Sequence, residues 1–392
     1  MPGPGLYLYG EEERKEILDV LESGYVSRYG DLNDPEFKHK VYTLEQEFAQ
    51  YCDAKYALAT SSGTSALYIP LMALGLDPGD EVLVPAFTFV ATYSAVIFAG
   101  LVPVLVEVDE SLNMDPLDIE NKITTRTKAI IPVHMMGNPC DMDSIMPIVR
   151  KHNLFLIEDC CQAVGGSYQG KKLGTFGPFG AYSLNVYKTI TAGDGGLIVT
   201  SDRELYEVMF GIHDQGHKPN RSGIEIGTRN VLGQNYRINE LTGAVALAQL
   251  RKLDYIVKTL REKKKLFKDL ISGVEGISFR KINDAEGECA VMLTVQFESS
   301  ERTLQVAQKL GINPESESGW HVYYHMEHIL NYFQEIGSKV QKGSMPQTDD
   351  LLGRSISLSV GTVGGEGSFG INILSEKSEI EKKAEDFLKA CE

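Results

Sequence analysis

Three segments hold residues that could do chemistry together. The run Ala181-Tyr182-Ser183-Leu184-Asn185-Val186-Tyr187-Lys188-Thr189 sets a lysine between two apolar strand-like stretches, just ahead of the glycine-rich turn Ala192-Gly193-Asp194-Gly195-Gly196. A buried ammonium is costly unless it has a use, and an amine kept from bulk water suits imine formation with a carbonyl. The plain alternative for Lys188 is a side chain that reaches past its apolar neighbours into solvent. Leu154 to Gln162 is an apolar run that ends in Glu158-Asp159. A carboxylate at the C-terminal edge of a parallel strand points to where such sheets bind ligands. Facing a pyridine nitrogen, Asp159 would keep that nitrogen protonated and make the ring an electron sink; otherwise it caps the turn that follows. Ser61-Ser62-Gly63-Thr64-Ser65-Ala66-Leu67 stands between a strand and a helix, where small residues free backbone N–H groups and hydroxyls for a phosphate. Alone, such a run is more often a capped turn. Order and spacing tip the balance. A phosphate turn, an acidic strand end and then Lys188, 29 positions after Asp159, set three complementary groups on successive strands of one sheet.

Positioning them takes an alternation of strands and helices. Strands are expected at Tyr56 to Thr60, Glu81 to Pro85, Val102 to Val108, Lys128 to Val133, Leu154 to Glu158, Ala181 to Asn185 and Leu197 to Thr200, with helices between them at Thr64 to Leu74 and Asp143 to His152. That pattern predicts an α/β domain with a mostly parallel sheet between helices. Asn239 opens a long helical segment running to about Ile271, with a highly charged second half. It is expected to lead from a large domain, residues 1–250, to a smaller C-terminal α/β domain, residues 251–392. In the latter, strands are expected at Ala290 to Phe297 and Ser355 to Val360, and helices at Glu301 to Leu310 and from Ser375 onward.

The bulk properties narrow the function classes. At 392 residues the chain is long for one compact core. A net charge of −16 argues against a nucleic-acid surface, which needs clustered Lys and Arg. The first residues carry neither the basic nor the apolar stretch of a secretion signal, and Tyr93 to Val108, broken by Gly100 and Pro103, is too short to span a bilayer. A cytoplasmic protein is expected, with its six cysteines reduced; they show no metal-ligand spacing, so no metal site is expected.

These segments, together with Gly79-Asp80-Glu81-Val82, Pro85-Ala86-Phe87-Thr88-Phe89-Val90-Ala91-Thr92 and Asn235-Tyr236-Arg237-Ile238-Asn239-Glu240, resemble the fold-type I pyridoxal 5′-phosphate (PLP) enzymes. More narrowly they resemble the DegT/DnrJ/EryC1/StrS family of sugar aminotransferases, from about Glu11 to Val360 and beyond. The resemblance implies that Gly63, Thr64, Ser65 and Ser183 hold the cofactor phosphate and that Phe89 stacks on its ring. It implies further that Asp159 pairs with the ring nitrogen, Gln162 reaches the phenolic oxygen and Lys188 forms the Schiff base. Asn235 would reach the cofactor phosphate of a second subunit, implying a homodimer with shared active sites. The stretch from Tyr25 to Lys40, the segment Trp320-His321-Val322-Tyr323-Tyr324 and the run from Pro346 to Ser357 resemble the branch of 8-amino-3,8-dideoxyoctulosonate transaminases. Aminocyclitol and nucleotide-sugar aminotransferases share much of the same text.

The expected activity is transfer of an amino group from an amino acid, glutamate first among donors, to a keto- or aldehydo-sugar, with ping-pong kinetics. A sugar dehydratase on the same scaffold would carry histidine in place of Lys188, and a non-catalytic binding protein would not need Asp159, Gln162 and Lys188 together. Arg229, Arg237 and Lys218 are candidates to bind the donor carboxylate, and His213 and His217 to line the same entrance.

Overall fold

A computed structural model of the chain describes residues 3–219, 231–361 and 368–392. The first part runs α1 (Glu11–Ser23), α2 (Lys40–Tyr51), β1 (Tyr56–Thr60), α3 (Gly63–Ala73), β2 (Glu81–Pro85), α4 (Ala91–Phe98) and β3 (Val102–Val106). It continues through α5 (Pro116–Lys122), β4 (Thr127–Ile130), α6 (Met142–His152), β5 (Phe155–Asp159), a two-residue hairpin β6 (Ser167–Tyr168) and β7 (Lys171–Lys172), β8 (Phe179–Ser183), β9 (Gly196–Thr200) and α7 (Arg203–His213). The rest comprises α8 (Glu240–Leu250), α9 (Leu253–Ile271), β10 (Ile277–Phe279), β11 (Met292–Phe297), α10 (Ser300–Leu310), α11 (Glu327–Glu335), α12 (Pro346–Gly353), β12 (Ser355–Ser359) and α13 (Lys377–Cys391).

Seven strands lie side by side in the order β1-β9-β8-β5-β4-β2-β3. Neighbours are parallel except for β9, which runs against both β1 and β8. The expected α/β class with a mostly parallel central sheet is therefore found. β10, β11 and β12 form a separate antiparallel sheet. Strand geometry sends alternate side chains to opposite faces, and both faces of the large sheet are covered. Ala57, Ala59, Leu83, Leu197 and Val199 enter one hydrophobic cluster. Their neighbours Leu58, Val82, Val84 and Ile198 enter another. Each fully buried aliphatic side chain contributes roughly 2 kcal/mol of transfer free energy, which is why these strands read as unbroken apolar runs.

Several boundaries differ from expectation: β3 ends at Val106 rather than Val108, β8 spans Phe179–Ser183 rather than Ala181 to Asn185, and two further differences have plain physical reasons. β4 stops at Ile130, not Val133, because Pro132 has no N–H for a ladder; its carbonyl instead accepts from the Asp159 N–H at 3.0 Å. The segment opened by Asn239 is two helices, broken at Arg251 and Lys252. No Gly or Pro marks the break. Lys252 turns its ammonium to the Leu8 carbonyl at 2.7 Å and to Glu13, while the preceding Gln249 also donates to Glu13 at 2.7 Å.

Residues 3–9 form a strap across the chain leading into Lys188. The Gly3 N–H donates to the Val186 carbonyl at 2.7 Å and the Tyr9 hydroxyl to the Thr191 carbonyl at 2.8 Å. Gly3 lies so close that any side chain there would collide with the Lys188 carbonyl. Among the described residues no helix is long and apolar enough to cross a membrane.

Candidate active site

Because β1, β2, β5 and β8 point the same way, the segments that follow them converge at one edge of the sheet. Asp159 ends β5 and is buried. Its Oδ2 accepts from the Thr92 hydroxyl at 3.0 Å, and its Oδ1 from the Cys161 N–H at 3.0 Å. Thr92, in the first turn of α4, is fixed in turn by the Thr88 hydroxyl at 2.9 Å. Both donors are neutral. Each carboxylate oxygen has two lone pairs, so Asp159 keeps capacity for a cationic partner.

Glu158 faces the other side of β5 and does different work. It accepts the N–H groups of Gly174, Phe176 and Gly177 at 2.8, 2.6 and 3.0 Å, and lies 3.4 Å from His134 Nε2. Because the Cys140 N–H donates to His134 Nδ1 at 3.0 Å, Nε2 carries the proton of the neutral ring. His134, Glu158 and Cys160 are close enough to share an ion. The hydrogen bonds just described, though, already use the carboxylate and one imidazole nitrogen as acceptors.

At the start of α3 the Ser62 hydroxyl caps the Ser65 N–H at 3.1 Å, and the Ser65 hydroxyl accepts from the Ser62 N–H at 3.0 Å. This reciprocal cap consumes Ser65 and turns it inward, so of the four residues expected at the phosphate it is the one already spent. Gly63 is different. A Cβ there would sit 2.7 Å from the Ser183 Cβ and 3.1 Å from the Cys161 sulfur, so only glycine lets the ends of β1, β5 and β8 close on one another. Thr64 is exposed at the mouth of this cradle.

Lys188 follows a turn in which its N–H donates to the Asn185 carbonyl at 3.0 Å. Its Nζ stands 5.9 Å from the centre of the Phe89 ring, which is 39 % exposed and so keeps open surface for a flat ligand. Trp320 and His321 flank that ring with centroids 6.5 and 5.5 Å away. They are held by backbone bonds from Thr88 to His321 and from Val90 to Trp320, at 3.0 and 3.1 Å. Burial, with the Lys188 charge adding to it, pushes the His321 imidazole down to about 4, and Ser318 Oγ bonds its Nδ1 at 2.8 Å. Gln162 spends its carbonyl oxygen on the Met136 N–H at 3.0 Å, which leaves its NH2 to donate outward. Met136 lies in the left-handed region (φ 53°), and the buried Arg280 holds the preceding Met135 carbonyl at 2.6 Å.

The structure therefore brings Gly63, Ser183, Phe89, Asp159, Gln162 and Lys188 to one edge of the sheet. It does not bring Asn235 into that group. Asn235 is exposed beside Ser27 and Arg28 and accepts from the Arg237 N–H at 3.2 Å, while the next residue, Tyr236, accepts the Ser61 N–H at 2.7 Å. Among the carboxylate-binding candidates, Arg237 is already paired with Asp214, which also takes the Tyr29 hydroxyl; Lys218 is exposed, and Arg229 lies outside the described residues. His213 does not line an entrance, contrary to expectation. It is fully buried under Arg28, which donates to Glu45 at 3.0 Å, and burial holds its imidazole well below the usual histidine range. His217 is half-buried. Sequence reading gave no role to Thr92, Met136, Arg280 or His321. The signals available were a threonine opening a helix beside the acidic strand end and a histidine inside an aromatic run.

Residues 8–363 match the DegT/DnrJ/EryC1/StrS aminotransferase family. The sequence is 40 % identical over 243 residues to GDP-perosamine synthase of Caulobacter vibrioides (strain ATCC 19089 / CIP 103742 / CB 15), a stretch covering 62 % of each chain and so less than two thirds of that relative. It is 31 % identical over 362 residues, 90 % of both chains, to the spore coat polysaccharide biosynthesis protein SpsC of Bacillus subtilis (strain 168). Among solved structures, 3-amino-5-hydroxybenzoic acid (AHBA) synthase superposes with a TM-score of 0.82 at 29 % identity, covering 97 % of this chain and 96 % of that one. The chain belongs to the DegT/DnrJ/EryC1/StrS aminotransferase family, as its motifs implied.

Proposed function

We propose that this family member transfers an amino group from an amino acid, glutamate in the first instance, to the carbonyl of a keto- or aldehydo-sugar, with pyridoxal 5′-phosphate as cofactor. The observation that carries the reading is the convergence of Lys188, Asp159, Phe89 and the Gly63–Ser183 cradle at one sheet edge. These residues fit the group. Gly63 lets the start of a helix pack against Ser183 and Cys161, so that its N–H groups and the Ser183 hydroxyl lie together where a phosphate could be held, the open Phe89 ring accepts a flat heterocycle, and Asp159 offers a buried carboxylate to a protonated ring nitrogen. When bound, the cofactor would supply an aldehyde able to take up the amino group and an electron-withdrawing ring that eases proton removal at the substrate carbon. Lys188 Nζ holds the cofactor at rest and, once released, moves the proton at the substrate carbon that bears nitrogen. Asp159 keeps the ring nitrogen protonated. The Gln162 NH2 donates to the ring oxygen, and Thr64 and Ser183 add hydroxyls at the phosphate. His321, neutral near pH 7, shields the outer face of Phe89 without adding a charge beside Lys188.

The narrower reading of the acceptor is an octulosonate, resting on the stretch from Tyr25 to Lys40 and on the aromatic run whose Trp320 and His321 pair with residues 88–90. A nucleotide sugar is the second reading, favoured by the similarity to GDP-perosamine synthase. A keto-cyclitol acceptor, giving an aminocyclitol, is a third. The same reading takes the working unit as a cytoplasmic homodimer in which Asn235, apart from its own chain's site, serves the partner's cofactor, and it divides the chain near residue 250. Incubating cofactor-loaded protein with glutamate and a panel of keto- and aldehydo-sugars tests it. Release of 2-oxoglutarate together with an aminated sugar is expected; a protein that stays colourless with pyridoxal phosphate and aminates nothing refutes it.

A further inference from the structure

Away from this site, α9 presents Arg261, Lys264, Lys265 and Lys268 along one face, where they meet Arg280 across a pocket of about 380 Å3. That volume lies within the range of small-molecule sites. These five cations face two lining carboxylates, Glu286 and Glu288. Glu288 takes the Lys264 ammonium, and its backbone carbonyl accepts from Arg261 Nε at 2.6 Å. Asp269 pairs with Lys265 at 2.5 Å. Lys268 lies 4.9 Å over the Phe279 ring, with no carboxylate partner among the described residues. Arg280 is only 5 % exposed, and its Nε has no acceptor among the described residues.

Burial weighs on the charges of the cluster, and at Lys264 neighbouring cations add to it. Burial pushes Arg280 down to about 10. Burial, aided by repulsion from Arg280 and Lys268, holds the Lys264 ammonium below the usual lysine range even with Glu288 beside it. Such a concentration of positive charge is out of keeping with a chain whose net charge is −16, and an anion would relieve it.

We propose that this pocket binds a phosphorylated small molecule, its phosphate facing Arg261, Lys268 and Arg280 and its carbon skeleton lying on Phe279 and Leu293. The lining holds five cations and two carboxylates, with Asp269 beside Lys265 and Glu315 and Asp109 near Arg280 offsetting part of that charge; the two guanidinium groups suit a phosphate monoester better than a monocarboxylate. Guanidinium forks and ammonium groups are the usual partners of phosphate oxygens.

The test is calorimetric titration of phenyl phosphate, inorganic phosphate and benzoate into holoenzyme whose cofactor has been fixed with borohydride, so that the cofactor's own phosphate position is filled. Phenyl phosphate should bind one site per chain, with inorganic phosphate and benzoate at least tenfold weaker. The double variant Arg261→Gln/Lys268→Gln should weaken phenyl phosphate at least tenfold while its specific activity, measured before borohydride treatment, stays as in the parent and its melting temperature falls only slightly, by the lost Arg261–Glu288 contact. Lys268→Glu alone should abolish the binding. No saturable binding, benzoate equal to phenyl phosphate, or binding that survives the double substitution would each overturn the proposal.

Discussion

Charge is handled in opposite ways in two neighbouring regions. Around α7 and the loop before α2, Arg28 meets Glu45 and Arg237 meets Asp214, with His213 kept neutral between them. At the sheet edge, Asp159 is held by a hydroxyl and a backbone N–H, and Lys188 stands over an aromatic face. The first region spends its charges on the fold, because a buried charge without a partner is costly. The second fixes its charged groups with neutral donors and so keeps their charge for a ligand. Glu158 and Asp159 make the same contrast within two residues: one is filled by three backbone N–H groups, while the other retains capacity.

Four substitutions would break or sharpen this contrast. The largest effect is expected for Lys188→Ala, with turnover falling about ten-thousandfold, at the upper end of the range for losing a positioned acid–base group. Its melting temperature should hold, and borohydride should no longer fix pyridoxal phosphate to the peptide that contains residue 188; labelling there in the wild type and not in the variant is the check. Glu45→Gln should do the reverse, lowering stability by about 3–5 kcal/mol because Arg28 is left buried and unpaired. Activity per folded molecule should persist, so chemical denaturation and active-site titration together separate the two regions. For Asp159→Asn, stopped-flow measurement of the half-reaction with glutamate should show a slowing of about a hundredfold with some cofactor still bound. Near-native rates would mean that Asp159 is not the ring partner. The smallest effect concerns pH. Folded His321 stays neutral down to about 4, whereas the unfolded side chain takes a proton near 6.5, so stability declines as pH falls through that window. His321→Gln should flatten that decline by about one proton's slope in denaturation curves taken across the window. Equal slopes in the two proteins would show that His321 is not held neutral.

Much of this arrangement is legible in the sequence. β1 and β2 fall on the expected residues because strands buried on both faces are short apolar runs bounded by turns. The turn at Gly63, Asp159 and Lys188 are readable because each follows or ends a strand, and parallel strands bring such ends together; Ser183, Phe89 and Gln162 are legible only through the resemblance to the family. What was not legible depends on partners distant in the chain. The break between α8 and α9 is set by Glu13 and Leu8, more than two hundred residues away, and carries no breaker residue of its own. His213 lies at the end of a helix and passes for a surface residue until α7 buries it beside Arg28. The contribution of Arg280 reaches Gln162 only through the backbone of Met135 and Met136, which no motif records.

The strap of residues 3–9 gives the site a history in time. These residues leave the ribosome long before their partners, since the carbonyls they bind belong to Val186 and Thr191 and the side chain that fastens Leu8 belongs to Lys252. At roughly 5–20 residues per second, synthesis leaves them without those partners for ten seconds or more. The strap thus settles only after partners made later, and the loop that carries Lys188 is finished only when residues 3–9 return to it.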